Sequence, residues 1–345
     1  MPTREIRCIL TGMGNIGRTL LELLSSRQTL FASRYGLTLR CVGVADSTGV
    51  AFSSAGFDVA MLASLKALRG AVSDLPDFIP GLRPADLVAR ADADLLFEAT
   101  PTNLRDGQPG LDIVRAALQS GKHAILASKG PLVVAYGELA ALATGVAAPR
   151  LTFSGAVGGA LPTANLGRHL AGAVIEQAEL VVNGTTQVIL EEMAAGHDFA
   201  TALAHAQAQG IVEPDPALDV DGWDAAAKLT IFANAVLGRP TLLTDLRVEG
   251  IRNVTPAALR AAWNDGGRIS LVGQATRRAD GDYDLRVAPK TLGPEHPLAR
   301  LGHGEMGLLV QSDLAGRTTM ASLEQGPVGT CQAMIRDLVA IYHDR

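Results

Sequence analysis

Glu213, Asp219, Asp224 and Lys228 fall in the stretch Gly210 to Lys228, GIVEPDPALDVDGWDAAAK. Carboxylates grouped beside a lysine can hold a substrate ammonium and move a proton at a neighbouring oxygen. Asp224 and Lys228 are four residues apart, so a helix puts them on one face. Glu213 lies in Glu-Pro-Asp-Pro, where proline stiffness lowers the entropy lost on ordering a binding carboxylate. The same residues admit a structural role. Asp221 can serve as N-cap to a helix from Gly222 to Leu237, Asp224 can satisfy donors of its first turn, and Lys228 can pair with Asp224 on a solvated face.

A second set of residues lies at the other end of the chain. The apolar run Ile6 to Thr11 leads into Gly12-Met13-Gly14-Asn15-Ile16-Gly17, then a helical pattern of Ile16, Leu20, Leu21 and Leu24. Strand, GxGxxG and helix together suit a dinucleotide. Gly12 permits the tight turn, Gly14 lets a pyrophosphate approach, Gly17 allows close helix–strand packing, and the helix start at Asn15 and Ile16 faces the phosphates. Asp46 ends the apolar run Leu37 to Ala45. It can accept from the adenosine ribose hydroxyls, or open an ordinary turn through Ser47, Thr48 and Gly49. Arg18 and Arg40 could meet a 2′-phosphate, so NAD and NADP both stay open. Two more strand-like runs end at Thr100-Pro101-Thr102-Asn103 and Ser128-Lys129-Gly130-Pro131. Thr100 can contact the nicotinamide. Lys129 can reach the reacting carbon, or be a surface lysine. Together with the acidic stretch, these residues suggest a dehydrogenase acting on a small zwitterion.

Positioning these groups requires two domains. Strand–helix alternation in the first half predicts an α/β fold, a Rossmann-type doubly wound parallel sheet with ligands at the carboxyl ends of its strands. A second, α+β domain for substrate binding and dimerisation follows. There the strand Ala178 to Val182 leads into Asn183-Gly184-Thr185-Thr186 and a helix from Gln187 to Met193, with the two threonines able to cap it. Backbone amides at Gly184 and Thr185 can hold a carboxylate, or simply form a turn. Gly266 to Tyr283 reads as a loop-like insert with a hairpin turn at Asp280-Gly281. A last helix, from about Gly329 to His343, returns to the nucleotide domain. The expected division is 1–148 with a return over 320–345, and 149–319.

Composition bounds the rest. A chain of 345 residues, 48% hydrophobic and 19% charged, is globular and too long for one ordinary core. A net charge of −5 without a basic stripe argues against nucleic acid and anionic membrane as partners. The N-terminus lacks a signal-peptide run, and no apolar stretch is long enough to span a bilayer. Cys8, Cys41 and Cys331 form neither a disulfide framework nor a zinc pattern, which points to a reducing cytoplasm.

The stretch Gly210 to Lys228 resembles the signature of homoserine dehydrogenases: a glycine, Glu-Pro-Asp-Pro, a spaced Asp, then Gly-x-Asp-x-x-x-Lys. Asn183-Gly184-Thr185-Thr186, Glu98 to Asn103 and Gly121 to Leu132 resemble further motifs of that family, in one order along nearly the whole chain. The resemblance implies interconversion of L-homoserine and L-aspartate 4-semialdehyde with NAD or NADP, within threonine and methionine biosynthesis. It implies that Lys129, Lys228 and Asp224 are catalytic, and that Glu213, Asp219, Gly184 and Thr185 bind substrate. It places Ser128 and Gly326 at the cofactor, a monovalent cation on Phe153, Val157 and Gly159, and the chain in a homodimer. The chain stops before the ACT module of longer members, so feedback through that module is not expected. Five features depart from the family pattern: Ser128 for Asn, Ser154-Gly155-Ala156-Val157 for Glu-Ala-Thr/Ser-Val, Gln187 for Asn, Ile211 for a frequent aromatic, and no glycine–alanine–glycine run in Leu323 to Gly329. They keep two alternatives open: a related oxidoreductase with another amino or hydroxy acid substrate, and a non-catalytic nucleotide-binding sensor.

Overall fold

The computed structural model describes residues 3–67, 70–208, 216–324 and 326–343. Two compact units divide the chain, one of 1–159 with 326–345 and one of 160–325. Among the described residues no helix is long and apolar enough to cross a membrane.

The first unit is built on strands β1 (Arg4–Thr11), β2 (Leu37–Asp46), β3 (Gly49–Phe57), β4 (Phe78–Ile79), β5 (Leu95–Glu98), β6 (His123–Leu126) and β7 (Leu151–Thr152). They form one sheet in the order β4-β3-β2-β1-β5-β6-β7. From β2 to β7 neighbouring strands are parallel, while β3 and β4 add an antiparallel edge. That edge exists because Asp46-Ser47-Thr48-Gly49 makes a hairpin, with Asp46 paired opposite Gly49. The parallel strands read as apolar runs because helices cover them. Leu20 and Leu24 from helix Asn15–Ser26 meet Ile6, Leu10 and Phe97 in the core. Helix Val328–Tyr342 adds Cys331, Met334 and Leu338 to the same core. All three cysteines are buried free thiols.

The second unit contains β8 (Ile175–Val181), β9 (Arg247–Val248), β10 (Arg268–Arg277), β11 (Tyr283–Leu292), β12 (Glu305–Ser312) and β13 (Gly316–Leu323), in the sheet order β13-β12-β8-β10-β11-β9. Only β11 and β9 run parallel. Helices Gly184–Ala194 and Trp223–Ala235 pack on the sheet through Ile189, Leu229 and Phe232, against Leu180, Leu271 and Val287. Fully burying a side chain such as Phe232 stabilises by roughly 2–3 kcal/mol.

Three local expectations are corrected. Gly266 to Tyr283 is mostly strand β10, and the expected turn at Asp280-Gly281 lies in the link 278–282 that leads to β11, where Gly281 has φ +88. Its alternation was obscured by the Arg277-Arg278-Ala279-Asp280 run that leads into the turn. The helix after β8 starts at Gly184, not Gln187, and its N-cap is Asn183, whose side chain accepts from the Thr186 amide. Asn is as strong an N-cap as any residue, so the threonines fall inside the first turn. The signature helix begins at Trp223 after Gly222, whose φ of +86 turns the chain into it, and ends at Ala235. Asp221 is therefore not its N-cap; it pairs with Arg252.

Candidate active site

In the first unit the predicted cofactor residues gather at the carboxyl ends of β1, β2, β5 and β6. Gly12 takes φ +86, and a side chain there would overlap the Ala99–Thr100 backbone. A side chain at Gly17 would overlap the Gly12 carbonyl. Gly14 is the N-cap of helix Asn15–Ser26, and nothing lies within 4 Å of where its Cβ would stand. The glycines are thus required by the turn at two positions and leave open space at the third. That combination fits a pyrophosphate against the first-turn amides of Asn15 and Ile16. Cys331, from the helix that follows Gly326, donates its thiol to the Ile16 carbonyl at 3.3 Å.

Asp46 is held by its own hairpin. Its Oδ1 accepts from the Thr48 amide at 2.8 Å and the Thr48 hydroxyl at 2.6 Å, and its Oδ2 accepts from the Val72 amide at 3.1 Å. Asp46 therefore forms the turn, and these bonds fix its carboxylate at the end of β2. Arg40 is not placed for a 2′-phosphate, because it pairs with Glu5 at 2.7 Å. Arg18 lies 3.7 Å from Glu22.

Glu98, at the end of β5, is a residue that spacing did not single out. Its side chain is fully buried, and it accepts from the Ser128 hydroxyl and from the Thr100 hydroxyl and amide. Burial pushes its carboxyl above the usual range, against the lowering effect of the Ser128 and Thr100 hydrogen bonds. Thr100 and Ser128 thus point inward to Glu98. Lys129 follows directly as the residue before helix Gly130–Leu142; it is half-buried, and its amide donates to Thr102 Oγ1 at 3.4 Å. An acidic residue ending an otherwise apolar strand run was the available sequence signal for Glu98.

Phe153, Val157 and Gly159 lie in a buried segment around the turn Ser154–Ala156. The Phe153 carbonyl accepts from the Ala156 amide at 2.9 Å. Ser154 donates through its amide to Asp337 Oδ2 at 2.8 Å and through its hydroxyl to Oδ1 at 2.6 Å. The serine that departs from the family pattern is thus bound to a buried carboxylate of the C-terminal helix.

In the second unit the polar cluster is tight. Asn183 Nδ2 donates to Asp219 Oδ1 at 2.6 Å and to Asp224 Oδ2 at 2.8 Å. Lys228, only 9% exposed, pairs with Asp224 at 2.7 Å and donates to the Val182 carbonyl at 2.5 Å. The third N–H of its ammonium has no partner among the described residues. This excludes the solvated-face role for the pair. Burial and the Asp224 charge raise the Asp219 carboxyl above its usual value, while Asn183, Lys228 and Thr185 pull it down. Glu324 also feels the Lys228 charge, although burial raises its carboxyl overall. Gly184 and Thr185 occupy the first turn of helix Gly184–Ala194, whose opening amides have no intrahelical acceptors. The structure therefore brings together Gly184, Thr185, Asp219, Asp224 and Lys228, with Asn183 as the unpredicted link. Glu213 lies outside the described residues.

A glycine cradle at the carboxyl end of the central strand β1 and a separate lysine–carboxylate cluster define a two-domain, nicotinamide-dependent oxidoreductase. The family model for the homoserine dehydrogenase NAD binding domain matches residues 12–148, and the homoserine dehydrogenase model matches residues 163–339. The NAD(+)-dependent homoserine dehydrogenase of Pseudomonas canavaninivorans is 34% identical, over 98% of this chain and 96% of its own. The homoserine dehydrogenase of Methanocaldococcus jannaschii is 33% identical, over 97% of this chain and 98% of its own. The crystal structure of a homoserine dehydrogenase from Thiobacillus denitrificans superposes with a TM-score of 0.84 at 29% identity, covering 99% of this chain and 74% of that one. The chain belongs to the homoserine dehydrogenase family.

Proposed function

We propose that the protein interconverts L-homoserine and L-aspartate 4-semialdehyde. The observation that carries this reading is the cluster of Asp219, Asn183, Asp224 and Lys228. Bound NAD(P) supplies hydride transfer at its nicotinamide ring. Asp219 draws the substrate ammonium, and the Gly184 and Thr185 amides take its carboxylate. As the aldehyde is reduced, negative charge grows on its oxygen. The Lys228 ammonium, by the N–H that neither Asp224 nor Val182 takes, stabilises that charge and delivers the proton. Asp224 and the Val182 carbonyl fix the ammonium before the reaction, so it needs no reorganisation. In the direction of homoserine oxidation the neutral amine of Lys228 receives the hydroxyl proton and becomes the ammonium as hydride leaves the carbinol carbon. Lys129 is the second catalytic candidate, and Glu213 a further substrate acid by its place in the signature.

NAD is the favoured cofactor in this reading. The Asp46 carboxylate is immobilised where a 2′-phosphate would meet like charge. The carbonyls of Phe153, Val157 and Gly159 are retained as the proposed monovalent-cation ligands, and a homodimer in the cytoplasm as the working state. Sedimentation at micromolar protein tests the dimer. The substrate assignment is tested by product identity: the carbonyl product of L-homoserine oxidation, trapped as a hydrazone, should match L-aspartate 4-semialdehyde. A different trapped aldehyde or ketone would move the assignment to another substrate.

A further inference from the structure

A cluster apart from these residues lies at the far end of helix Gly184–Ala194. Glu192 Oε2 is 3.2 Å from His205 Nδ1 and 3.7 Å from His197 Nε2, and one donor atom from each of the three residues falls within 4.8 Å of the others. The two rings stand edge to face, with centroids 5.0 Å apart and planes at 75°. Two ligands each about 2.1 Å from a tetrahedral zinc ion are separated by about 3.4 Å. The two carboxylate–imidazole distances bracket that value, and the two imidazole nitrogens lie within 4.8 Å of each other, so side-chain rotations that close the latter gap bring the three atoms onto one ion.

The backbone places these groups deliberately close. Helix Gly184–Ala194 ends in paired bonds from the Gly196 amide to the Met193 carbonyl at 3.0 Å and from the His197 amide to the Glu192 carbonyl at 3.3 Å. This is the Schellman arrangement, and Gly196 supplies its positive φ of +115. It folds His197 back over Glu192. Asp198 then accepts from the Thr201 amide at 2.8 Å and starts helix Phe199–Ala208, which carries His205. Three ligands thus come from two helices and the turn between them.

We propose that Glu192, His197 and His205 form a binding site for a borderline divalent transition-metal ion, of which Zn2+ is the representative. The ion would pin helix Gly184–Ala194 to helix Phe199–Ala208. Two imidazoles and one carboxylate select zinc, cobalt or nickel over magnesium and calcium, which take all-oxygen sites. The side chains are 31%, 43% and 47% exposed for Glu192, His197 and His205. Water therefore completes the coordination.

The test is titration of chelator-treated full-length protein with Zn2+, followed by calorimetry and thermal melting, with Co2+ as a spectroscopic probe. The expected result is one ion per chain and a melting temperature raised by about 2 °C or more at saturation. His197→Ala and His205→Ala should each weaken binding by at least about tenfold, and His169→Ala, outside the cluster, should leave it unchanged. Co2+ should give a visible d–d absorption that the double variant lacks, while Mg2+ gives no heat. Unchanged Zn2+ affinity in the His197→Ala/His205→Ala double variant, or no binding by the wild type at about 100 Kd-equivalents of a micromolar site, would overturn the proposal.

Discussion

Asp219 and Asp224 share one hydrogen-bond donor. Asn183 Nδ2 reaches Asp219 at 2.6 Å and Asp224 at 2.8 Å, while its Oδ1 accepts from the Thr186 amide at 2.8 Å. A single side chain thus starts helix Gly184–Ala194 and holds both acids in place. Asn183→Ala removes the cap and both donations. Loss of the cap alone costs about 1 kcal/mol. Calorimetry should show a lower melting temperature, and steady-state assays a kcat/KM reduced by about 10- to 100-fold, or about 1.4–2.8 kcal/mol at about 1.4 kcal/mol per decade. Asn183→Asp should be worse, because it adds a third carboxylate. An unchanged kcat/KM in Asn183→Ala would remove Asn183 from the substrate site.

The two lysines should separate kinetically. Positioned general acids contribute about 10²- to 10⁴-fold. Lys228→Met should therefore lower kcat by about 10²-fold or more. Lys129→Met should act more on KM. If Lys129→Met abolished kcat while Lys228→Met retained it, the proton would belong to Lys129.

Glu98 gives a pH signature. Its folded carboxyl is raised by burial, above the unfolded reference near about 4.3. A raised value means that the proton's stabilising contribution is full below the unfolded pKa and is lost as pH rises through the folded one. Glu98→Gln keeps the shape without the charge. Its melting temperature relative to wild type should rise between about pH 4 and pH 8. A pH-independent difference would show that Glu98 has an ordinary folded pKa.

Asp46 should set the cofactor ratio. With its carboxylate fixed by Thr48 and Val72, kcat/KM should be higher with NAD than with NADP. Asp46→Ser keeps a turn-forming side chain and removes the charge, and should shift the ratio toward NADP by at least about tenfold. An unchanged ratio would place the discrimination elsewhere.

The features legible in the sequence are those with a fixed local spacing. Gly12, Gly14 and Gly17 announce the nucleotide turn: only glycine tolerates the approach of the Ala99–Thr100 backbone at Gly12 and of the Gly12 carbonyl at Gly17, and Gly14 leaves open space between them. Asp224 and Lys228 announce a shared helix face. What local spacing could not reveal depends on tertiary contact. Asn183 meets Asp219 and Asp224 from 36 and 41 residues away, and Ser128 meets Glu98 across 30 residues. Ser154 departs from the family pattern in sequence, and its partner Asp337 is 183 residues distant. The extra strands β3 and β4 were hidden because a hairpin turn and a ribose-binding strand end use the same Asp-Ser-Thr-Gly residues.

The most direct measurement is hydride transfer by purified protein, followed at the reduced-nicotinamide absorbance with L-homoserine and each of NAD and NADP at alkaline pH. The account predicts a kcat/KM for L-homoserine of about 10⁴ M⁻¹s⁻¹ or more with the preferred cofactor, falling by about 10²-fold or more in Lys228→Met. Cofactor binding without turnover of L-homoserine would contradict it.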